Sequence, residues 1–158
     1  MTRTAPAPVD LPDINVWLAL ADGTHQHHGQ ARLYWEEGAA ASLAYCRVTM
    51  LGFLRLITHP KAMAGRPFSP PEAWRAYRQF RTLPEITFLP EPPDVDATFQ
   101  SLSNSADFPQ PLWTDAYLAA LAIACGCRLV SFDRDFRRFA GLDLLLLGTG
   151  DRSPSGRR

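Results

Sequence analysis

Three aspartates stand where the sequence changes from one structural pattern to another. Asp13 follows a short apolar segment, Asp115 precedes an alanine- and leucine-rich run, and Asp133 follows a second apolar segment. The patterns predict that Asp13 and Asp133 end strands and that Asp115 begins a helix. Because ligands of layered α/β folds bind outside the carboxyl ends of parallel strands, we expect these three side chains to converge at one site.

A converging set of carboxylates requires a cation. Two carboxylates about 5 Å apart repel by roughly 3 kcal/mol at an effective dielectric constant of about 20. Three such pairs would cost nearly as much as the free energy of unfolding of a whole domain, roughly 5–15 kcal/mol. The expected ligands are carboxylate oxygens with no His or Cys beside them, which favours Mg²⁺, or Mn²⁺ as an alternative, over zinc.

The segments around the aspartates predict an α/β fold with three layers, α/β/α, and a mainly parallel central sheet. Strands are predicted over residues 9–11, 42–48, 85–89, 128–132 and 142–147, the last of them heavily buried. Helices are predicted over residues 14–21, 24–37, 50–57, 70–83, 95–102 and 116–125.

Several local signals set the expected helix starts and faces. Thr49 resembles an N-cap, and Ser69 with Glu72 predicts a capping box at the start of the next helix. The periodicity puts Leu51, Leu54 and Ile57 on one apolar face, and it puts Ala31, Tyr34 and Trp35 on another. Trp74, Tyr77 and Phe80 are interpreted as core aromatics beside a solvated arginine face that could alternatively accept a partner helix.

Length and composition describe one ordinary globular domain. The chain has 158 residues, of which 46% are hydrophobic and 20% charged, and its formal net charge is zero. The zero charge excludes a molecule that attracts nucleic acid over its whole surface, so a local patch must hold any anionic substrate. We predict a flexible arm over residues 1–8, a domain over 9–148 and a disordered tail over 149–158.

The compartment is expected to be the cytoplasm. The first residues lack the apolar core of a secretion signal, and no apolar run has the roughly 18 residues of a membrane span. Cys46, Cys125 and Cys127 form an odd set, which fits a reducing interior better than a disulfide framework.

Three histidines open a different metal hypothesis. His25 and His28 have the spacing of a helical ligand pair, with His27 between them. No Cys or third well-spaced ligand accompanies the pair, so a surface or helix-capping role is favoured over a zinc site.

The order of the motifs resembles the PIN-domain ribonucleases, and within them the VapC-type toxins of bacterial toxin–antitoxin pairs. The resemblance rests on three segments: an apolar strand with Asp13-x-Asn15, Thr-Asp115-Ala-Tyr-Leu at the head of an alanine-rich helix, and Ser-Phe-Asp133-Arg-Asp135-Phe after a late strand. It extends over about residues 9–148.

The resemblance implies a metal-dependent endoribonuclease that hydrolyses RNA phosphodiester bonds with a metal-activated water, an antitoxin protein as partner, and a homodimer. Asp13, Asp115 and Asp133 would be catalytic and would hold the ion, with Asp135 as a further ligand. RNA, rather than DNA, is implied by the resemblance alone. Asn15 is a candidate substrate contact, although it can also cap the helix that follows.

Arginines beside the last acids are candidates for phosphate binding. Arg134 and Arg137 follow Asp133, and guanidinium groups there could hold phosphates of the strand being cut. The alternative is a solvated turn with intramolecular ion pairs.

One departure from the family and two alternative functions stay open. The family commonly carries another acid, usually Glu, early in the helix after the second strand, whereas no acid occurs here between Glu37 and Glu72. This departure suggests an inactive PIN-like binding or assembly module as an alternative. A phosphatase of the haloacid-dehalogenase kind is suggested by Asp133-x-Asp135, but it is disfavoured because no lysine follows.

Overall fold

A five-stranded sheet forms the centre of the computed structural model, which describes residues 7–148. The strands are β1 (Val9–Pro12), β2 (Ser42–Tyr45), β3 (Ile86–Phe88), β4 (Arg128–Ser131) and β5 (Leu144–Leu146). Their order across the sheet is β3-β2-β1-β4-β5, and every neighbouring pair is parallel. The predicted mainly parallel sheet is therefore confirmed.

Helices cover both faces of the sheet. They are α1 (Ile14–Ala21), α2 (His28–Leu33), α3 (Arg47–Ile57), α4 (Pro70–Thr82), α5 (Val95–Ser103) and α6 (Trp113–Cys125). Buried residues of α1, α3 and α4, such as Trp17, Phe53 and Tyr77, share one core with β2. Buried residues of α5 and α6 share a second core with Leu11 and Leu129 on the opposite face. The predicted three-layer α/β/α architecture is confirmed.

The start of α3 differs from the prediction. This helix begins at Arg47, so Cys46 is the N-cap and Thr49 lies three residues into the capping box, where its Oγ1 accepts the Cys46 N–H at 2.9 Å. The capping box of α4 forms as expected, because the Ser69 N–H donates to the Glu72 carboxylate at 2.8 Å. The observed N-cap, Cys46, directly follows β2 and lies three residues before the predicted N-cap, Thr49.

The second helix is shorter than predicted and changes type. Residues 22–27 form turns, α2 starts at His28, and Tyr34–Gly38 continues it as a π-helical turn. Ala31 and Tyr34 are buried as predicted. Trp35 is only partly buried against the core.

Three predicted faces are corrected by the tertiary packing. Leu51 is 56% exposed, whereas Ile57 is buried as predicted and shares the buried face of α3 with Met50 and Phe53. Trp74 is 43% exposed and is not a core aromatic, unlike Tyr77. The last strand is half-buried rather than heavily buried, since β5 lies at the edge of the sheet.

The predicted arm and tail lie almost entirely outside the described residues, at 1–6 and 149–158, and both remain predictions. Within residues 7–148, every helix is too short or too polar to span a lipid bilayer.

Candidate functional site

The two central strands place two of the predicted aspartates at the same edge of the sheet. β1 and β4 pair in parallel with Pro12 opposite Val130, and the Asp13 N–H donates to the Val130 carbonyl at 2.8 Å. Asp13 therefore continues the ladder at the point where both strands end. In the strand order the chain turns to opposite sides after β1 and β4, which is the topological switch point where α/β folds bind ligands.

A buried serine links Asp13 to Asp133. Ser131 is the last residue of β4, and its hydroxyl donates to Asp13 Oδ2 at 3.0 Å while accepting the Asp133 N–H at 2.9 Å. The other oxygen of Asp13 accepts the Ile14 N–H at 2.7 Å and caps α1. The capping and site interpretations of Asp13 are therefore compatible, because each carboxylate oxygen has a separate donor.

The third aspartate, Asp115, belongs to α6, which packs in the second core on the opposite face of the sheet from α1. Asp115 lies in the first turn of α6, which runs back across the sheet and ends at Gly126, where a left-handed φ of 66° allows the turn into β4. This helix–turn–strand connection places the start of α6 at the carboxyl edge of the sheet. No hydrogen bond from residues 7–148 reaches the Asp115 carboxylate.

The electrostatics show that the acids are close neighbours. Burial raises the pKa of Asp115 to about 6, with added repulsion from Asp13, Asp133 and Asp135. Burial also raises the pKa of Asp13, which is 7% exposed, and repulsion from Asp133 adds to that increase, although two hydrogen bonds partly offset it. Each of these acids therefore lies within range of another's charge, and the convergence of Asp13, Asp115 and Asp133 at one metal site stays a prediction.

The acids lack compensating cations within the described part of the chain. The salt bridges found among residues 7–148 join Arg32 to Glu36 and Arg128 to Asp10, and neither reaches the site. Within the same range, no group of three His, Cys, Asp or Glu side chains is already arranged to hold a metal ion. The carboxylates are therefore neighbours without forming a preassembled coordination shell.

The other predicted site residues lie around this cluster. Asp133 caps a 3₁₀-helix (Arg134–Arg138), where its Oδ1 accepts the Asp135 N–H at 2.8 Å. Asp135, Arg134 and Arg137 are exposed on that helix, and Asn15 is exposed on α1.

A cavity of about 670 Å³ adjoins the acids on the α1 side. Its lining combines three of the predicted site residues with a histidine-bearing turn and several apolar side chains: Asn15, Leu18, His25, Gln26, His27, Leu56, Ala62, Phe132, Asp133 and Arg134. His25, His27 and His28, for which a surface or helix-capping role is predicted, are half-buried, and His27 is the N-cap residue of α2.

Ser131 is a site residue that the sequence prediction missed. The motif around Asp133 included this serine, but nothing in the strand pattern marked its hydroxyl as a link to Asp13. The available signal was a serine that ends an apolar strand, since a buried hydroxyl must find hydrogen-bond partners.

The sequence pattern of the PIN domain matches residues 11–142, a span that contains Asp13, Asp115, Asp133 and Asp135. The chain therefore belongs to the PIN-domain family. This match confirms the resemblance to PIN-domain proteins and the predicted fold.

Within that family, the relatives are VapC proteins. The chain is 36% identical over 143 residues to Ribonuclease VapC41 of Mycobacterium tuberculosis, covering 87% of this chain and 97% of the relative. It is 32% identical over 123 residues to Ribonuclease VapC38 of the same organism, covering 78% and 84%.

Solved structures of VapC proteins share the fold. The structure of Mycobacterium tuberculosis VapC20, a sarcin–ricin loop cleaving toxin, matches with a TM-score of 0.62 at 18% identity and covers 84% of this chain and 95% of that one. VapBC2 from Rickettsia felis, bound to a DNA fragment from its promoter, matches with a TM-score of 0.60 at 12% identity and covers 88% and 98%.

Proposed function

We propose that this protein is a metal-dependent endoribonuclease and the toxin of a type II toxin–antitoxin pair. The observation that carries the proposal is the acid cluster at the switch point, where burial and then repulsion from the other acids raise the pKa of Asp115 to about 6. Uncompensated charge in a crevice is typical of a functional site, because folding gains nothing from it. The relatives that bear the name ribonuclease support RNA as the substrate.

The donor set fits a hard divalent cation. Asp13, Asp115 and Asp133 supply carboxylate oxygens, and Asp135 offers a fourth on the exposed side, so we propose Mg²⁺ with Mn²⁺ as a substitute. Such a cation, when bound, would favour the ionised form of a water ligand and offset negative charge at the phosphate. The three central carboxylates would bind the cation. The cation would supply the positive charge that no salt bridge among residues 7–148 brings to them.

The remaining residues position these groups and the substrate. Ser131 and the Ile14 N–H fix the orientation of the Asp13 carboxylate before substrate arrives, since one donor binds each oxygen. Arg134 lines the cavity beside Asp133, where a guanidinium group can bind a phosphate oxygen of the substrate. Arg137 is exposed on the same 3₁₀-helix and would contact a more distant phosphate.

Cleavage of RNA by the purified protein tests the proposal. We expect internal cuts in a mixture of structured RNAs with Mg²⁺ or Mn²⁺ and none with excess EDTA. Asp115→Asn should lower the rate at least about 100-fold, because it removes a charged ligand without removing volume. Asp96→Asn is the matched control, since it makes the same chemical change at an exposed acid of α5 and should leave the rate unchanged.

Two results would contradict the nuclease proposal. One is an absence of cuts at every Mg²⁺ and Mn²⁺ concentration by a protein that is folded by circular dichroism. The other is full metal-dependent cleavage by Asp115→Asn, which would place the chemistry elsewhere.

We also propose an antitoxin partner, a homodimer and a cytoplasmic location. The exposed Trp74 lies on α4 beside Arg75 and Arg78, and these side chains line one groove that suits an acidic amphipathic helix.

Exposed Leu51 and Trp113 offer apolar surface for self-association, which sedimentation of the pure protein tests. The three cysteines are unpaired, which agrees with a reducing compartment.

A binding module without nuclease activity is the second candidate function. The observation that favours it is the absence of any acid in α3, together with the close packing of Gly52, where an added Cβ would lie 2.2 Å from Ile14 Cδ1. α3 therefore cannot gain a side chain at Gly52 unless Ile14 moves. This candidate predicts partner binding without RNA cleavage in the assay above.

A further inference from the structure

The cavity beside the acids contains groups that the proposed cleavage chemistry leaves unused. The rings of His27 and Phe132 stack on each other with centroids 4.6 Å apart and an interplanar angle of 20°. Both rings are half-buried and both line the cavity. Phe132 directly precedes Asp133, so this aromatic pair lies immediately beside the acid cluster.

The polar groups of the cavity are arranged to donate and accept hydrogen bonds. His25 Nδ1 accepts the His27 N–H at 3.1 Å, which leaves His25 Nε2 as the nitrogen that carries the proton and can donate. The amides of Asn15 and Gln26 line the same cavity, and each offers both a donor and an acceptor. A volume of about 670 Å³ lies within the range of roughly 300–1,000 Å³ that small-ligand sites occupy.

We propose that this cavity binds one unpaired nucleobase of the RNA, that of a nucleotide next to the cut, by stacking on the His27–Phe132 pair. The inference rests on the proposed nuclease function and names the form of its substrate. Proteins read RNA mainly where bases are unstacked and can lie on aromatic rings, whereas bases inside a duplex are unavailable. Arg134 at the rim would hold the adjoining phosphate, and the amides and His25 would contact the edge of the base.

The position of His27 supports this assignment because its ring is not used to cap α2. His27 occupies the N-cap position of α2 but makes no side-chain capping hydrogen bond. His28, by contrast, contacts the Ala19 carbonyl through Nδ1 at 2.7 Å and fastens α2 to α1. Replacing His27 should therefore change the cavity and leave the fold intact.

A coupling experiment between protein and RNA tests the inference. The probes are a single-stranded oligoribonucleotide with one mapped cut and two copies that each lack the base on one side of that cut. With the wild-type protein, one abasic copy should be cut about five- to a hundredfold more slowly, the range that corresponds to loss of one base–aromatic stack. His27→Ala should slow cleavage of the intact RNA by a similar factor and should have little further effect on that abasic copy.

Variants and controls separate stacking from other effects. His27→Phe should retain most of the activity, because it keeps the aromatic face although it removes the ring nitrogens. Phe132→Leu keeps apolar volume without the ring and should behave like His27→Ala. Phe88→Leu makes the same change at a partly buried phenylalanine that does not line the cavity, so this variant should cut the intact and abasic RNAs as the wild type does. A fully paired duplex of the same sequence should resist cleavage.

The outcomes distinguish this inference from the function on which it rests. If no RNA is cut by the wild type, both fail. If the wild type cuts RNA and His27→Ala and Phe132→Leu are folded and fully active, only the base site is excluded. Independent, multiplicative losses from His27→Ala and from each abasic copy would also overturn the base site, because they would show that the ring and the missing base do not interact.

Discussion

Asp10 in β1 and Asp13, which directly follows that strand, have opposite surroundings although only two residues separate them. Asp10, which is fully buried, accepts Arg128 Nε at 2.9 Å on Oδ1, and it accepts Arg128 Nη2 at 2.9 Å and the Tyr34 hydroxyl at 2.6 Å on Oδ2. The Ala40 N–H adds a further donor at 3.0 Å. Asp13, at the other end of the strand, has two neutral donors and a set of acidic neighbours.

The contrast distinguishes a carboxylate that is neutralised from one whose charge the described residues leave uncompensated. At the amino end of the sheet, the Arg128 guanidinium group neutralises Asp10 and also donates to the Gly38 carbonyl. These contacts join β1, β4 and the π-helical turn. At the carboxyl end, the fold adds further negative charge and leaves it uncompensated among the described residues. Asp10, a buried acid with its own cation, contributes to the architecture, whereas we propose that the acid cluster containing Asp13 binds a ligand.

The largest expected difference is in the free energy of unfolding of two single variants, Asp10→Asn and Asp13→Asn. Asp10→Asn should lower the free energy of unfolding by roughly 2–4 kcal/mol, because it leaves Arg128 without its counter-ion; the side chain of Arg128 is 31% exposed, which moderates the loss. Asp13→Asn should leave stability unchanged or slightly higher at pH 7, because the amide retains the capping oxygen and removes a charge that burial disfavours. Urea unfolding of the metal-free proteins measures both.

A double variant checks the cause of the Asp10 effect. Asp10→Asn with Arg128→Met removes the unpaired charge as well and should recover part of the lost stability. Equal destabilisation by Asp10→Asn and Asp13→Asn would show that the two ends of β1 do not differ in the way described.

We expect a divalent metal ion to stabilise the folded protein by binding at the carboxyl end of the sheet, and not at the end that contains Asp10. At a free Mn²⁺ or Mg²⁺ concentration about 100 times the dissociation constant, binding to the folded state adds about 2.7 kcal/mol. For a chain of this size that gain raises the melting temperature by roughly 5–10 °C. The rise should be much smaller in Asp115→Asn, whereas Asp10→Asn should melt lower but keep the full rise.

The control for the metal experiment is NaCl at equal ionic strength, which should not reproduce the shift. A metal-induced rise of the same size in Asp115→Asn and in the wild type would locate the ion away from the acid cluster.

The smallest expected effect is a pH dependence of stability in the metal-free protein. The folded-state pKa of Asp115 is raised from 3.8 to about 6, so the folded state holds more protons than the unfolded state between these values. Stability should therefore fall as the pH rises from about 4 to 6 and should not change further on this account above that window. Because the group is only half-buried, solvent screening limits the change to about 1–2 kcal/mol.

Asp115→Asn isolates that contribution. The variant should lose this component of the pH dependence and should be about 1 kcal/mol more stable than the wild type at pH 7. Denaturation midpoints of both proteins at pH 4, 5, 6 and 7 measure it, and identical pH profiles would mean that Asp115 does not titrate in the predicted range.

Much of the architecture was predictable because it depends on local signals. The capping residues Ser69 and Glu72 and the apolar periodicity of α4 and α6 predicted those helices at nearly their observed positions. The faces of α3 were not predictable in the same way, since Leu51 and Phe53 are equally apolar and only packing against the neighbouring helices decides which of them is buried.

The sequence by itself determined that acids stand at the ends of predicted strands and at the head of a predicted helix, because capping and hydrophobic periodicity act within a few residues. Only the tertiary structure decided which buried acid is neutralised. The contacts of Asp10 with Arg128 and of Asp13 with Ser131 both join residues 118 positions apart. The parallel register of β1 and β4 sets both contacts at once, and it puts an arginine at one end of the pair and a neutral serine, with further acids nearby, at the other.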